Sequence, residues 1–334
     1  MKTNVAVVIP NFNGKDRLGR CLEAVLEQTL PVLIIVVENA STDGSFEFLQ
    51  NNYPDVRIVR NPKNLGFAGG VNTGIKESRK LGCEFVALLN NDAIPEKNWL
   101  ENLMQSMKSD GSLASVASFM LHADSTQIDS TGDGYSIWGL TYARQRDEPV
   151  DKAIRISDYV FGASAGAALY RILALEEVGW FDDDFFAYYE DTDLNFRLQI
   201  AGWKSKYCPD AVVSHMRGST SNTMKGLTTY QTFKNLPFIF LKNIPARLLP
   251  SMLPRFSFAY VSIYINSLVH GRGWPATKGA AKSLLLLPKK LKQRKIIQKN
   301  RQVSIEYIRS LLLQDLPPSA HSLRKLRSFF IRGK

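Results

Sequence analysis

The sequence predicts an α/β domain with a parallel sheet, followed by a mainly helical C-terminal extension. Short apolar runs without polar interruption alternate with stretches of helical periodicity, the pattern of strands covered on both faces. Each of those runs ends in a polar cluster, and ligands of such sheets sit at the carboxyl ends of the strands. Beyond Gly226 the alternation gives way to apolar stretches of helical length, interrupted by lysine, arginine and proline. The change divides the chain into residues 1–225 and 226–334. At 334 residues and 45% apolar content, there is enough chain for one large core and a smaller appendage.

The first apolar run, 5–9, reads as a buried strand broken by Pro10-Asn-Phe-Asn-Gly14, and it is too short for a signal peptide. Leu18, Cys21, Leu22, Val25 and Leu26 follow at helical spacing. Residues 33–37 form a second strand, ending in Glu38-Asn-Ala-Ser-Thr-Asp-Gly44, whose last residues suit a turn and a helix cap. A short helix over 46–51 and a strand over 56–59 come next. The Gly-rich segment 64–70 then opens a helix reaching residue 80. Residues 85–89 are a fourth strand, closed by Asn90-Asn-Asp92, and 99–107 are again helical. A fifth strand is expected over 113–118, and strands and loops with a short hairpin over 120–158. The small-residue run 161–169 permits close approach of backbone to a ligand, or tight strand packing. Strands over 204–207 and 211–214 end at His215 and a Gly/Ser/Thr run.

One segment concentrates acid. Glu190, Asp191 and Asp193 follow the aromatic run Phe185-Phe-Ala-Tyr-Tyr189. Leu194, Leu198 and Ala201 then share one face, so the segment reads as a helix with Asp191 or Thr192 as cap and Gly202 as stop. Asp193 is expected to serve the helix start, where a carboxylate complements the dipole. Glu190 and Asp191, beside an aromatic wall, read as cleft residues. Asp92, at a strand end, suits a divalent cation bridging a diphosphate, because Mg²⁺ and Mn²⁺ prefer oxygen ligands. With His215 at a later strand end, these residues make a metal–diphosphate–base site. Glu38 and Asn39 are placed to hydrogen-bond a nucleobase or ribose. Segment 64–70 fits neither a Walker loop nor a dinucleotide fingerprint.

The series Val7-Val-Ile-Pro-Asn-Phe-Asn-Gly14, Val36-Val-Glu-Asn-Ala-Ser-Thr-Asp-Gly-Ser45, Asn64-Leu-Gly-Phe-Ala-Gly-Gly-Val-Asn-Thr-Gly74, Leu88-Leu-Asn-Asn-Asp92 and Tyr189-Glu-Asp-Thr-Asp-Leu-Asn-Phe-Arg197 resembles family 2 glycosyltransferases. Within that family it is most similar to the bacterial rhamnosyltransferase-like branch. The resemblance covers 1–220 and implies a GT-A fold, the Rossmann-like fold of nucleotide-diphospho-sugar transferases. It further implies inverting transfer of a sugar, rhamnose in this branch, from a nucleotide diphosphate to an acceptor hydroxyl, with Mg²⁺ or Mn²⁺ as cofactor. By the same resemblance Pro10, Asn11, Asn13, Glu38 and Asn39 line the nucleoside pocket. Asp43, Asn91 and the segment from Gly66 to Asn72 shape the same nucleotide-sugar site. Asp92 matches the last position of the Asp-x-Asp metal motif, and His215 a histidine that reaches the metal or diphosphate. Asp191 matches the catalytic base, with Glu190 beside it. Two positions depart from the pattern: Asn90 stands at the first Asp-x-Asp position, and Glu38 where an aspartate is usual.

The net charge of +11 is concentrated late in the chain: residues 282–301 are rich in lysine and arginine without an acid, and 324–334 are basic again with aromatics. An anionic surface is the expected partner. Basic helices with apolar and aromatic faces point to the inner leaflet of a plasma membrane, where a saccharide or lipid-linked glycan acceptor would be met during cell-surface polysaccharide synthesis. No stretch offers the roughly 20 uninterrupted apolar residues of a spanning helix. Three scattered cysteines suit a reducing, cytoplasmic location. A nucleotidyltransferase would share the α/β domain and metal-binding aspartate, but it calls for a lysine- and glycine-rich activating loop that Asn11-Phe-Asn-Gly-Lys15 does not supply. A nucleic-acid-binding role would use the charge, but no nucleic-acid module is recognisable.

Overall fold

The computed structural model describes residues 4–216, 224–321 and 323–324. The run after His215 and the basic end beyond residue 324 therefore lie outside the described residues, apart from Met216 and Arg324. In chain order the first half contains β1 (Val5–Asn11), α1 (Lys15–Leu26), β2 (Leu33–Glu38), α2 (Ser45–Asn52), β3 (Arg57–Arg60), α3 (Gly66–Lys80), β4 (Phe85–Leu89), β5 (Ala93–Pro95) and α4 (Trp99–Lys108). There follow β6 (Leu113–His122), β7 (Ile128–Ser130), β8 (Asp133–Ser136), β9 (Thr141–Ala143), β10 (Tyr159–Val160), β11 (Ala167–Arg171), α5 (Ile172–Val178), α6 (Glu190–Ile200) and β12 (Lys204–His215). The extension contributes α7 (Leu227–Asn243), α8 (Leu249–Val269), α9 (Gly273–Lys299), α10 (Ile305–Leu311) and β13 (Leu312–Leu313).

A ten-stranded sheet runs β10-β12-β6-β11-β4-β1-β2-β3, with β5 on β12 and β7 on β6. The parallel arrangement expected from the apolar runs holds for β4-β1-β2-β3. It fails at β11, which enters antiparallel between β4 and β6. There Ala167 and Ala168 stand opposite Leu89 and Leu88, so the small-residue run is partly tight strand packing. Its earlier residues form a loop against α6: a Cβ on Gly162 would lie 2.0 Å from Cγ of Asn195. The two strands expected over 204–214 are one, with a register shift between Cys208 and Val212. Pro209 lies in that gap and has no N–H for the ladder.

Apolar clusters fill both faces of the sheet, with α1 and α4 on one side and α3, α5 and α6 on the other. A third cluster joins Tyr135, Phe185 and Phe196 to Leu236, Phe238, Phe256 and Leu312. The extension therefore shares a core with the sheet region. It also completes a small second sheet, in which β13 pairs parallel with β8 of the expected hairpin β8–β9. Among the described residues no helix is long and apolar enough to cross a membrane.

Candidate active site

The carboxyl ends of β1, β2 and β4 are tied together by amides. Asn91 Nδ2 donates to Asn11 Oδ1 at 2.7 Å, and Asn11 Nδ2 donates to Glu38 Oε2 at 2.9 Å. The other Glu38 oxygen accepts from the Ser41 N–H at 2.8 Å, so this buried glutamate braces its own loop as well as β1. Asn39 Oδ1 accepts from Asn61 Nδ2 and the Leu65 N–H, while its Nδ2 donates to Asn64 and the Gly66 carbonyl. Asn72 bonds both main-chain groups of Phe181 that face it and reaches Asp183 Oδ1 at 2.7 Å. Asn11, Glu38, Asn39 and Asn72 are thus buried braces of the strand ends, while Asn13 and Asp43 are exposed and Pro10 is half-buried. Asn13 Oδ1 accepts from the Thr42 N–H, and Asp43 accepts from the main-chain N–H groups of Lys15 and Ser45. Those N–H groups and the Ser45 hydroxyl outweigh partial burial and hold the Asp43 carboxyl below the usual range.

Strand β5 pairs antiparallel with the end of β12, setting Ala93 opposite His215. This brings His215 Nε2 within 3.2 Å of Asp92 Oδ1 and 3.1 Å of Asn90 Nδ2. The other ring nitrogen lies 2.8 Å from Asp129 Oδ2, on β7. Arg146 in turn pairs with Asp129 through Nη2 at 3.2 Å. Burial opposes charging of His215, but the hydrogen bonds and charges of Asp129 and Asp92 outweigh it and raise its pKa to about 9. Among the described residues no three His, Cys, Asp or Glu side chains form a metal cage. The residues instead fit a divalent cation delivered with a diphosphate. Such ions take one or two protein ligands and complete their shell with phosphate oxygens and water. Asp92 would offer such an ion a carboxylate oxygen, whereas His215, paired through both ring nitrogens with Asp92 and Asp129, would do so only on losing its second ring proton.

Helix α6 begins at Glu190, with Tyr189 before it in the left-handed conformation and no side chain capping the start. The expected caps are thus corrected: Asp191 and Thr192 lie inside the helix, and Asp191 Oδ1 accepts from the Thr192 N–H at 2.7 Å. Gly202, at φ +89°, ends the helix as expected. The preceding loop holds Phe186, Tyr188 and Tyr189 at positive φ, which costs free energy for bulky residues. Asn235 of α7 fixes it: its Nδ2 donates to the carbonyls of Phe185, Ala187 and Tyr188 at 2.8–3.0 Å. Lys234 Nζ adds a bond to the Phe185 carbonyl. Gly66 approaches from α3, where a Cβ would lie 2.3 Å from the Phe186 carbonyl oxygen.

The acids of α6 have separate surroundings. Asp193 is buried and accepts from Arg197, Lys242 and Asn243, so it anchors α7 in addition to occupying the first helical turn. Glu190 is 6% exposed, with one oxygen, Oε2, buried without a hydrogen-bond partner. Burial and then the neighbouring Asp191 push its pKa up to about 8. Asp191 is half-buried. Burial raises its pKa, partly offset by the N–H groups of Thr192 and Ala165 and by the Arg146 charge. Asp133 on β8 completes the group, its pKa raised by burial and by Asp191, with Arg146 opposing. Beside Asp133 opens a cleft of about 410 Å³ walled by Tyr142, Tyr159 and Tyr307.

The small-residue loop joins the two halves. The Ala165 N–H opposes the rise of the Asp191 pKa, and the carbonyl of the following residue, Gly166, accepts from Asn90 N at 2.8 Å. Asp191 and the Asn90-Asn-Asp92 turn therefore both neighbour the Ala165–Gly166 segment. The sequence reading did not find Asp129, Asp133, Arg146, Lys234 or Asn235. The first three fall in a segment with no clear period, although the Gly-flanked acids of Ile128-Asp-Ser-Thr-Gly-Asp-Gly134 were a signal. Lys234 and Asn235 belong to a helix whose relation to the acidic segment exists only in three dimensions.

The family model "Glycosyl transferase family 2" matches residues 6–179. Among curated proteins the chain is similar to the N-acetylglucosaminyl-diphospho-decaprenol L-rhamnosyltransferase of Mycobacterium tuberculosis, 25% identical over 241 residues, covering 64% of this chain and 76% of that one. It is also similar to the O-antigen chain rhamnosyltransferase WbaN of Salmonella anatum, 27% identical, covering 64% and 66%. Among solved structures it resembles a mannosyltransferase from Pyrobaculum calidifontis in complex with GDP-Man and Mn²⁺ (TM-score 0.54, 16% identity, 90% of this chain and 86% of that one). GalNAc-T7 with UDP, GalNAc and Mn²⁺ gives a TM-score of 0.57 at 17% identity, covering 72% of this chain and 48% of that one. The sheet with its flanking helices is the GT-A fold. With the family model matching more than half of its length, the chain belongs to glycosyl transferase family 2 and is a glycosyltransferase.

Proposed function

We propose that this glycosyltransferase moves a sugar, rhamnose, with inversion from a nucleotide-diphosphate donor to a hydroxyl of a saccharide or lipid-linked glycan acceptor in cell-surface polysaccharide synthesis. The observation that carries the reading is the Ala165–Gly166 segment, whose Gly166 carbonyl accepts from Asn90 N and whose Ala165 N–H acts on the charge of Asp191. It sets a carboxylate beside the turn that carries Asp92. Asp191 accepts the proton of the acceptor hydroxyl as that oxygen bonds to the anomeric carbon, opposite the departing diphosphate. Burial makes Asp191 a stronger base than a solvated carboxylate. Glu190 is the acceptor-side contact, and the tyrosine-walled cleft beside Asp133 suits a saccharide ring. Asn11, Asn13, Glu38, Asn39, Asp43, Asn91 and the turn at Pro10 shape the nucleoside end, with Gly66 and Asn72 behind it. Asp92 and His215 would hold Mg²⁺ or Mn²⁺, which when bound offsets the charge of the leaving diphosphate. Arg146 lies close enough to Asp129 and Asp191 to supply further positive charge. The rhamnosyltransferase relatives support the donor sugar, and the basic extension supports a cytoplasmic enzyme resting on the inner face of the plasma membrane.

Thermal stabilisation by nucleotide diphosphates and their sugars, with and without Mn²⁺, tests the donor. We expect the largest shift with deoxythymidine-diphosphate rhamnose and Mn²⁺. A larger shift with a uridine- or guanosine-diphosphate hexose would overturn the donor, and the same shift without metal would overturn the cation site.

A further inference from the structure

The region from 211 to 305 contains no aspartate or glutamate, yet lysine and arginine recur throughout it. Two groups of these bases have contrasting surroundings. Lys234, Lys242 and Lys290 are buried and bind Phe185, Asp182, Asp193 and Asp184 inside the molecule. Arg247, Arg255, Arg272, Lys278, Lys282 and Lys295 are exposed.

Between Arg255 and Arg272 lies apolar surface. On α8, Phe258, Val261, Ile265 and Leu268 recur at intervals of three and four, one stripe of a helix, and they are 44–54% exposed. At the turn into α9 the stripe widens through Val269, 77% exposed, and Trp274, 68% exposed. Tyr264 on α8 bonds Thr277 on α9 at 2.7 Å, so the two helices are fixed together at this tip. Arg272 and Lys278 flank the tryptophan, and Lys278 lies over its ring, 4.9 Å from the centroid.

We propose that the outer stripe of α8 and the α8–α9 tip are the membrane-docking face of this enzyme, and that its partner is an anionic lipid bilayer. The apolar stripe enters the headgroup boundary, Trp274 sits at that level, and the surrounding bases meet lipid phosphates. Charge decides between occupants. A second copy of this face would set like charges against each other, whereas an anionic surface complements every exposed base around the stripe. The proposal gives the membrane association proposed above its surface, and it stands apart from the transfer chemistry because no residue of the catalytic cleft belongs to it.

Flotation of the full chain with phosphatidylglycerol–phosphatidylcholine vesicles, and with phosphatidylcholine alone, tests it. We expect binding to the first at low salt, weakening as salt rises. The variant Ile265→Ser, Val269→Ser, Trp274→Ser should bind at least about tenfold less. Because these side chains are exposed, its melting temperature and its stabilisation by nucleotide sugars should match the parent. Undiminished vesicle binding by that variant would overturn the proposal, as would equal binding to both vesicle types. A parent dimer that dissociates on the same substitutions would reassign the face to self-association, and binding to duplex DNA that outcompetes the vesicles would reassign it to nucleic acid. If nucleotide sugars fail to stabilise the parent while vesicles still bind it, the donor reading fails and the docking face survives.

Discussion

Asp191, Glu190 and Asp193 sit within one helical turn and show how position divides identical chemistry. Asp193 faces Arg197 and Lys242 and is a structural ion. Asp191 is half-buried and is the proposed base. Asp191→Asn removes the proton acceptor while keeping shape, so transfer should fall by at least about 10²-fold. Stabilisation by donor should be retained, and a variant with parental turnover would move the base elsewhere. Glu190 gives a pH prediction. Its folded pKa, about 8, lies above that of an exposed glutamate, roughly 4.3. The protonated form is therefore favoured by folding, and this group lowers stability as pH rises from the unfolded pKa to the folded one. Glu190→Gln should raise the melting temperature at pH 8 by at least about 3 °C and leave it nearly unchanged at pH 4. Melting curves at the two pH values check this.

At the scale of elements, the site depends on a loop that its own residues disfavour. Phe186, Tyr188 and Tyr189 are held at positive φ by one amide of α7, Asn235, bonded to three carbonyls. Asn235→Ala should cost about 1–3 kcal/mol. It should also lower kcat more than it raises the donor KM, because Asp191 follows directly on that loop. Steady-state kinetics separate the two effects, and equal losses in kcat and donor affinity would mean that the loop serves binding instead. The same loop shows where the sequence reading stopped. Helical periodicity located α6, and Gly202 located its end. Its start was misread, because no capping side chain is used and the aromatic conformation is imposed from α7.

For the whole molecule, the basic extension is a working part of the fold. Lys290 is fully buried and binds Asp182 and Asp184 at 2.7 Å, and Lys242 binds Asp182 at 2.6 Å. Lys290→Met takes one of two lysine partners from each of the half-buried Asp182 and Asp184 and should cost about 1–2 kcal/mol, measurable by denaturant unfolding. Although burial acts against it, pairing with Lys242 and Lys290 holds the Asp182 carboxyl well below the usual range. Its contribution is therefore full above the unfolded pKa of roughly 3.9 and is lost as pH falls below that. Acid should release the extension from the sheet region, and the parent should lose more stability than Lys290→Met between pH 5 and pH 2.

By itself the sequence determined the order of the first four strands and the helices between them, the parallel half of the sheet and the polar strand ends. Each follows from local apolar period and turn chemistry, which neighbours along the chain impose on one another. The motifs around Asn11, Glu38, Asp92 and Asp191 were legible for the same reason, as short contiguous runs. Tertiary structure alone decided that β11 enters antiparallel, that Asp129, Asp133 and Arg146 join His215 and Asp191, and that α7 fixes the loop before α6. Those contacts link residues far apart in the chain, where pairing depends on which surfaces remain unburied after the local elements form. Charge shows the division most plainly. Lysines and arginines that look alike in sequence end either inside, on carboxylates and main-chain carbonyls, or outside on the surface, and only packing sorts them.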